Sequence, residues 1–160
     1  MDANSQIKNG QYQLHPIGTV RASDQEGRYT LEIDQAYRAG LKELDQFSHA
    51  LIFWWADQMD TPETRKTLTT ELPYAPGVEA GVFACRSEYR PNPIAMTTCK
   101  ILTVDEERGV IQITNIDAYD GTMIVDLKAY FPVCDRVKAA RIPEWLSDWP
   151  EWMPEEGLDL

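Results

Sequence analysis

Asp120-Gly121-Thr122-Met123-Ile124-Val125-Asp126-Leu127-Lys128-Ala129-Tyr130-Phe131 is the stretch whose reading decides the fold. An Asp-Gly pair readily makes a tight turn, and beyond it the chain alternates with a period of two. Met123, Val125, Leu127, Ala129 and Phe131 fall on one face of a strand, and Ile124, Asp126, Lys128 and Tyr130 on the other. Working outward, residues 94–104 and 110–116 read as strands joined by a turn over 105–109, and residues 81–85 as another. The run 47–56 is apolar apart from Ser48 and His49 and rich in aromatics, as in a strand covered on both faces. Residues 13–21 and 28–33 are short β-prone stretches separated by a polar turn at 23–27. At least six short strands with few helical segments predict a mainly β fold: a single-domain antiparallel or mixed β-barrel with short helical insertions. The strand-then-helix rhythm of a doubly wound sheet is missing.

The insertions are brief. Asp34 is placed to cap a helix whose Tyr37, Leu41 and Leu44 recur at i, i+4 and i+7, although Gly40 weakens it. Residues 60–63 resemble a short helix start with Pro62 in its first turn, and Pro73, Pro76 and Gly77 mark a loop. A chain of 160 residues suits one domain. Its last segment differs from the rest: Trp145, Trp149 and Trp152 keep a helical spacing, yet Pro143, Pro150 and Pro154 interrupt any long helix. The expected organisation is a barrel domain over residues 1–142 and an acidic, Trp/Pro-rich tail over 143–160. That tail would staple onto the barrel, meet a partner subunit or cover a pocket.

Fifteen Lys and Arg stand against 26 Asp and Glu, a formal charge of −11. Each phosphate contact needs a positive group nearby, so this balance disfavours non-specific nucleic-acid binding. Between residues 81 and 100 it reverses, with Arg86, Arg90 and Lys100 against Glu88, leaving room for one small local basic site. The longest apolar run, residues 50–56, falls far short of the ~18 residues a membrane span needs. Residues 1–12 contain no apolar signal-peptide core. Cys85, Cys99 and Cys134 are odd in number and widely spaced, and His15 and His49 are the only histidines, so reduced thiols and no metal site are expected. No G-x-G-x-x-G, phosphate loop or G-x-S-x-G elbow occurs. A soluble, cytoplasmic protein is the expectation.

Residues 86–94, Arg-Ser-Glu-Tyr-Arg-Pro-Asn-Pro-Ile, carry the strongest chemical signal. Arg90 and Asn92 each precede a proline, which drives both into extended geometry, while Pro91 and Pro93 fix their own φ. The result is a stiff presentation of a guanidinium and an amide, or simply a rigid loop between two strands. Asp120-Gly121-Thr122 is the second candidate, because Asp126, Lys128 and Tyr130 share one face of the strand that follows. A solvated face with a cross-strand ion pair is the plain alternative.

Gly-Val-Phe-Ala-Cys-Arg-Ser (residues 81–87), Arg-Pro-Asn-Pro-Ile (90–94) and Asp-Gly-Thr-x-x-x-Asp-x-Lys-x-Tyr (120–130) together resemble the signature of the TsaA-like, or tRNA-methyltransferase O, family. Pro16-Ile17-Gly18 and Phe47-Ser48-His49 match its pattern near the start, so the resemblance covers about residues 14–137. It implies an S-adenosyl-L-methionine-dependent methyltransferase on a β-barrel, working as a homodimer with cofactor sites shared between subunits. The activity it implies is N6-methylation of threonylcarbamoyl-modified adenosine in the tRNA anticodon loop. The cofactor contacts it implies fall on Asp57, Gln58, Arg86, Met96, Asp120, Gly121, Thr122 and Met123, with Arg90, Asn92 and Lys128 toward the substrate.

Those residue types suit the ligand. An arginine fork binds a carboxylate bidentately. A sulfonium cation is favoured by aromatic faces, and Trp54 and Trp55 immediately precede Asp57. Ribose hydroxyls want a carboxylate, from Asp57 or Asp120, and glycine at 121 admits close backbone approach. A urea-like N6 must lose a proton, for which Asp126 and Tyr130 are candidate bases. The chain also departs from the family pattern: Met123 stands where proline follows Asp-Gly-Thr, Ala95 replaces a glycine, and Ala129 replaces the proline of Lys-Pro-Tyr. Residues 72–77 replace a Pro-Pro-Arg-x-Gly-Gly loop. Against −11, a small molecule or another nucleoside is the alternative acceptor, and a non-catalytic cofactor- or nucleotide-binding module the alternative class.

Overall fold

Strand β1 (Gly18–Ala22) pairs antiparallel with β2 (Arg28–Ile33), and β2 with β7 (Val110–Thr114). The order continues through β6 (Ile94–Asp105), β3 (His49–Trp55) and β8 (Met123–Ala129), which returns to β1 and closes an all-antiparallel barrel. The computed structural model describes residues 12–23 and 27–155. The expectations placed on residues 1–11, on the middle of the 23–27 turn and on the final acidic residues lie outside the described residues. Among the described residues, no helix is long and apolar enough to cross a membrane.

Alternation builds the core. Val20, Leu31, Ile33, Ile52, Trp54, Ile111, Ile113 and Ile124 point inward and are buried. Closure leaves the barrel itself without the free strand edges that an open sheet of this size would expose. Gly18 is required where β1 meets β2, because a Cβ there would collide with the backbone carbonyl of Glu32. That gives the Pro16-Ile17-Gly18 motif a packing reason.

Four local expectations change. The helix after Asp34 is a 3-10 segment, Gln35–Leu41, then a second short one, Leu44–Gln46, broken by a left-handed Glu43 at φ 66°. Asp34 makes no side-chain cap there. The Pro73–Gly77 region is not a plain loop but joins β4 (Thr69–Leu72) to β5 (Ala75–Gly81), a two-stranded sheet outside the barrel. Residues 82–85, expected in a strand, lie in turns after β5.

The fourth change concerns β8. Its pairing with β3 shifts register between Phe53 and Trp54, so Phe53 faces Asp126 while Trp54 faces Ile124, leaving Val125 as the extra residue of a β-bulge. The strict alternation read from 123 to 131 therefore breaks. Ile124, Leu127 and Ala129 pack toward the core, while Asp126 and Lys128 face outward.

The tail is irregular, as its prolines require, with one 3-10 turn at Glu144–Leu146. Trp145 stacks on Tyr74 between β4 and β5 at 6.2 Å, and Trp149 packs on the same ring at 5.2 Å. Trp152 stays exposed, with the Arg136 guanidinium 5.4 Å from its ring centroid. Two of the three tryptophans thus anchor to the hairpin.

Candidate functional site

β3 lies between β6 and β8, and its register ties both to its C-terminal end: Trp54 is opposite Ala95 on one side and Ile124 on the other. Neighbouring strands are about 4.8 Å apart, so the starts of β6 and β8 flank the end of β3 within roughly 10 Å of backbone. Around this end gather Asp57 and Gln58 on the 3-10 turn Asp57–Met59, Asn92 before β6, Met96 within it, and Asp120, Gly121, Thr122 and Met123 at the start of β8. Ala56 N–H donates to the Pro93 carbonyl at 2.9 Å, joining the two edges of this mouth.

The Asp-Gly-Thr corner is bolted to β1. Ala22 N–H donates to Asp120 Oδ1 at 2.9 Å, Gly121 N–H to the Val20 carbonyl at 2.8 Å, and Val20 N–H to the Thr122 carbonyl at 2.8 Å. Gly121 has φ 85°, a left-handed value that favours glycine, and the space where a Cβ would stand is open. Asp57, Gln58, Asn92 and Gly121 are exposed, whereas Thr122 is only 3% exposed and Met123 is 36% exposed. One carboxylate oxygen of Asp120 is thus held by the backbone of β1.

Arg86 and Arg90 part company in the 82–92 loop. Arg90 donates through Nε to the Ser87 carbonyl at 2.8 Å and through Nη2 to the carbonyls of Val82 and Cys85, the latter at 2.9 Å. Half of its fork thus holds its own loop in shape instead of being offered outward. Arg86 is exposed and lies beside Tyr74, whose hydroxyl pKa is raised by burial and by the nearby Cys85 while the Arg86 charge pulls it down.

The outward face of β8 carries the remaining candidates. Lys128 Nζ meets Asp126 Oδ2 at 2.6 Å and sits 5.8 Å from the Phe53 ring centroid. Asp126 Oδ1 accepts from Leu127 N–H at 2.9 Å, so both of its oxygens are engaged. The ion pair lies within β8, not across strands. Tyr130 is at the far end of the barrel, its ring 6.3 Å from that of His49, whose Nδ1 is 2.8 Å from Ser48 Oγ. Asp57, Gln58, Asn92, Met96 and residues 120–123 share one end; Tyr130 does not join them.

Of the two tryptophans before Asp57, Trp54 is inside the barrel, 4% exposed, with Nε1 donating to Thr97 Oγ1 at 3.2 Å. Only Trp55 is on the outer face. Its Nε1 donates to Asp60 Oδ2 at 2.9 Å, and Asp60 is gripped by Arg65. Neither Asp60 nor Arg65 stood out in the sequence as a functional residue, because both lie in the turns beyond β3, where no periodic pattern links them to Trp55.

The fold and site define a closed antiparallel barrel with Asp57, Gln58, Asn92, Met96 and residues 120–123 at one mouth, a class distinct from doubly wound nucleotide-binding sheets. The model of the tRNA-methyltransferase O N-terminal domain matches residues 13–136, and the chain belongs to that family. It is 32% identical over 142 residues to a probable S-adenosyl-L-methionine-binding protein of Archaeoglobus fulgidus, covering 81% of this chain and 37% of the relative. It is 31% identical over 126 residues to the tRNA (adenine(37)-N6)-methyltransferase of Escherichia coli, covering 77% of this chain and 52% of that enzyme. A crystal structure of TrmO superposes with a TM-score of 0.65 at 27% identity, covering 84% of this chain and 62% of that one. The chain thus spans between about a third and two thirds of these relatives.

Proposed function

We propose that this chain is an S-adenosylmethionine-dependent methyltransferase whose acceptor is the N6 of threonylcarbamoyl-modified adenosine in a tRNA anticodon loop, in the cytoplasm. The observation that carries the reading is the convergence of the 57–58 turn, the start of β6 and the Asp-Gly-Thr corner on one end of the barrel. The donor set fits the cofactor. Arg86 offers a guanidinium for a carboxylate, Asp57 a carboxylate for ribose hydroxyls, Gly121 a backbone with open space above it, and Met96 and Met123 apolar surface. When bound, S-adenosylmethionine supplies a methyl group on a sulfonium. The residues of the mouth would hold and align it, and alignment supplies much of the acceleration of an in-line displacement.

The acceptor nitrogen must also lose a proton. Asp126 would first have to leave Lys128. Tyr130 stands eight residues from Thr122 along β8, about 25 Å, too far to serve the same mouth. A homodimer in which one copy presents this outer strand face to the mouth of the other would bring Tyr130 into reach. Light scattering should then give twice the chain mass of 18.3 kDa, and a monomer would remove Tyr130 from the chemistry.

Calorimetry with S-adenosylmethionine tests the cofactor. Arg86→Ala should weaken binding by about 1.5–3 kcal/mol, the range for hydrogen bonds to a charged group, and unchanged affinity would remove Arg86 from the site. Radiolabelled methyl transfer to tRNA from cells lacking the modification tests the acceptor. Tight cofactor binding without labelled tRNA would favour the second reading, a small molecule or free nucleoside, which the charge of −11 accommodates more readily.

A further inference from the structure

Trp55, Asp60 and Arg65 form a lock at the rim of the mouth that the methyl-transfer reading leaves without a role. Trp55 ends β3 on the outer face, and its Nε1 donates to Asp60 Oδ2 at 2.9 Å. Arg65 grips the same carboxylate with two donors, Nε to Oδ1 and Nη2 to Oδ2, the latter at 2.9 Å. The Arg65 guanidinium carbon also lies 5.6 Å from the Trp55 ring centroid. The indole is half-buried, and the carboxylate satisfies its N–H while holding the ring in one orientation. The lock fixes the ring before any ligand arrives, so binding does not have to order it.

Its surroundings identify the occupant. Ile94, 40% exposed, is the β6 partner of Trp55, and Met123, 36% exposed, precedes Ile124 at the start of β8. Gln58 and Asn92 add exposed amides on the segments flanking this end. The Arg65 guanidinium over the indole already makes the ring's cation–π contact, so a sulfonium would find that attraction taken. A neutral π-system is favoured instead. Fixed aromatic rings bordered by amides receive unstacked bases in proteins that bind single-stranded RNA.

We infer that Trp55 is a stacking platform for an unpaired purine of an RNA acceptor, with Asp60 and Arg65 as its positioning pair. This deepens the methyltransferase reading and rests on it for which base reacts, but stacking is measurable without turnover. Because Arg65 is neutralised by Asp60, the platform adds affinity without adding a phosphate contact.

The test uses the full chain with two separate probes: a labelled single-stranded oligoadenylate RNA, and S-adenosylhomocysteine. Trp55→Ala should weaken RNA binding about 10- to 100-fold, the range for loss of one stacked base, with an unchanged salt slope. Trp55→Phe should recover most of that affinity, and Asp60→Asn should lose part of it by freeing the ring. S-adenosylhomocysteine affinity should stay at the wild-type level throughout. Should Trp55→Ala fail to fold, the comparison of Trp55→Phe with Asp60→Asn carries the same test. Wild-type RNA affinity in Trp55→Ala, a parallel loss of S-adenosylhomocysteine binding, or a reduced salt slope would overturn the platform. Wild-type protein that binds S-adenosylhomocysteine but no RNA sinks the platform and leaves the cofactor reading standing. Protein that binds RNA but no S-adenosylhomocysteine does the reverse.

Discussion

At Gly18 the backbones of β1 and β2 come so close that any side chain would strike the carbonyl of Glu32. The same residue sits at the seam of the barrel, where β1 pairs with β8 at Gly18 and Thr19. Gly18→Ala should destabilise the fold by about 3 kcal/mol, the upper range of overpacking, read as a lower urea midpoint. A wild-type midpoint would mean that the seam can give. Arg90 shows the opposite case, a residue whose role its neighbours decide. Its prolines were legible as a source of stiffness, but the guanidinium turns back onto the carbonyls of Val82, Cys85 and Ser87, which only the folded loop brings within reach. Trp54 and Trp55 are adjacent and chemically alike, yet one is sealed in the core and the other rims the mouth.

The elements of the barrel were legible because their signals are local. The Asp105–Gly109 turn forms with Gly109 at φ 72°, and β2, β3, β6 and β7 fall within about a residue or two of their apolar runs. The bulge at Val125 was not legible, because an extra residue on one strand is defined by its partner, and a perfect alternation in sequence hides it. It has a consequence for function. A bulge bends its strand and raises the local twist, so this one sets the angle at which the Asp-Gly-Thr corner leaves the end of β3. Deletion of Val125 keeps Ile124 opposite Trp54 and leaves Ile124, Leu127 and Ala129 facing inward, so the protein should still unfold cooperatively while cofactor affinity falls as the corner is re-aimed. Full affinity in the deletion variant would uncouple the bulge from the mouth.

For the molecule as a whole, the barrel interior sets an alkaline limit. Cys99 is buried between β3 and β7, with Sγ 3.2 Å from the Asn115 carbonyl, and burial pushes its thiol from 9.0 up to about 12, helped by the charge of Asp117. The folded state therefore favours the protonated thiol. The stability this contributes is fully present below pH 9.0 and is lost as pH rises toward about 12. Chemical denaturation across that range should show a decline that Cys99→Ala lessens, and an equal decline in both proteins would locate the titration elsewhere. The extents of β2, β3, β6 and β7, the 105–109 turn and the grouping of candidate residues into a few short segments followed from the sequence alone, because turn chemistry and side-chain periodicity act between near neighbours. Strand order, the inward or outward sense of each tryptophan, the bulge, and the joining of residues 57–58, 92–96 and 120–123 into one mouth were decided only in three dimensions. Each depends on which strands pair across the closed barrel, and pairing between residues far apart in sequence leaves no periodic trace along the chain.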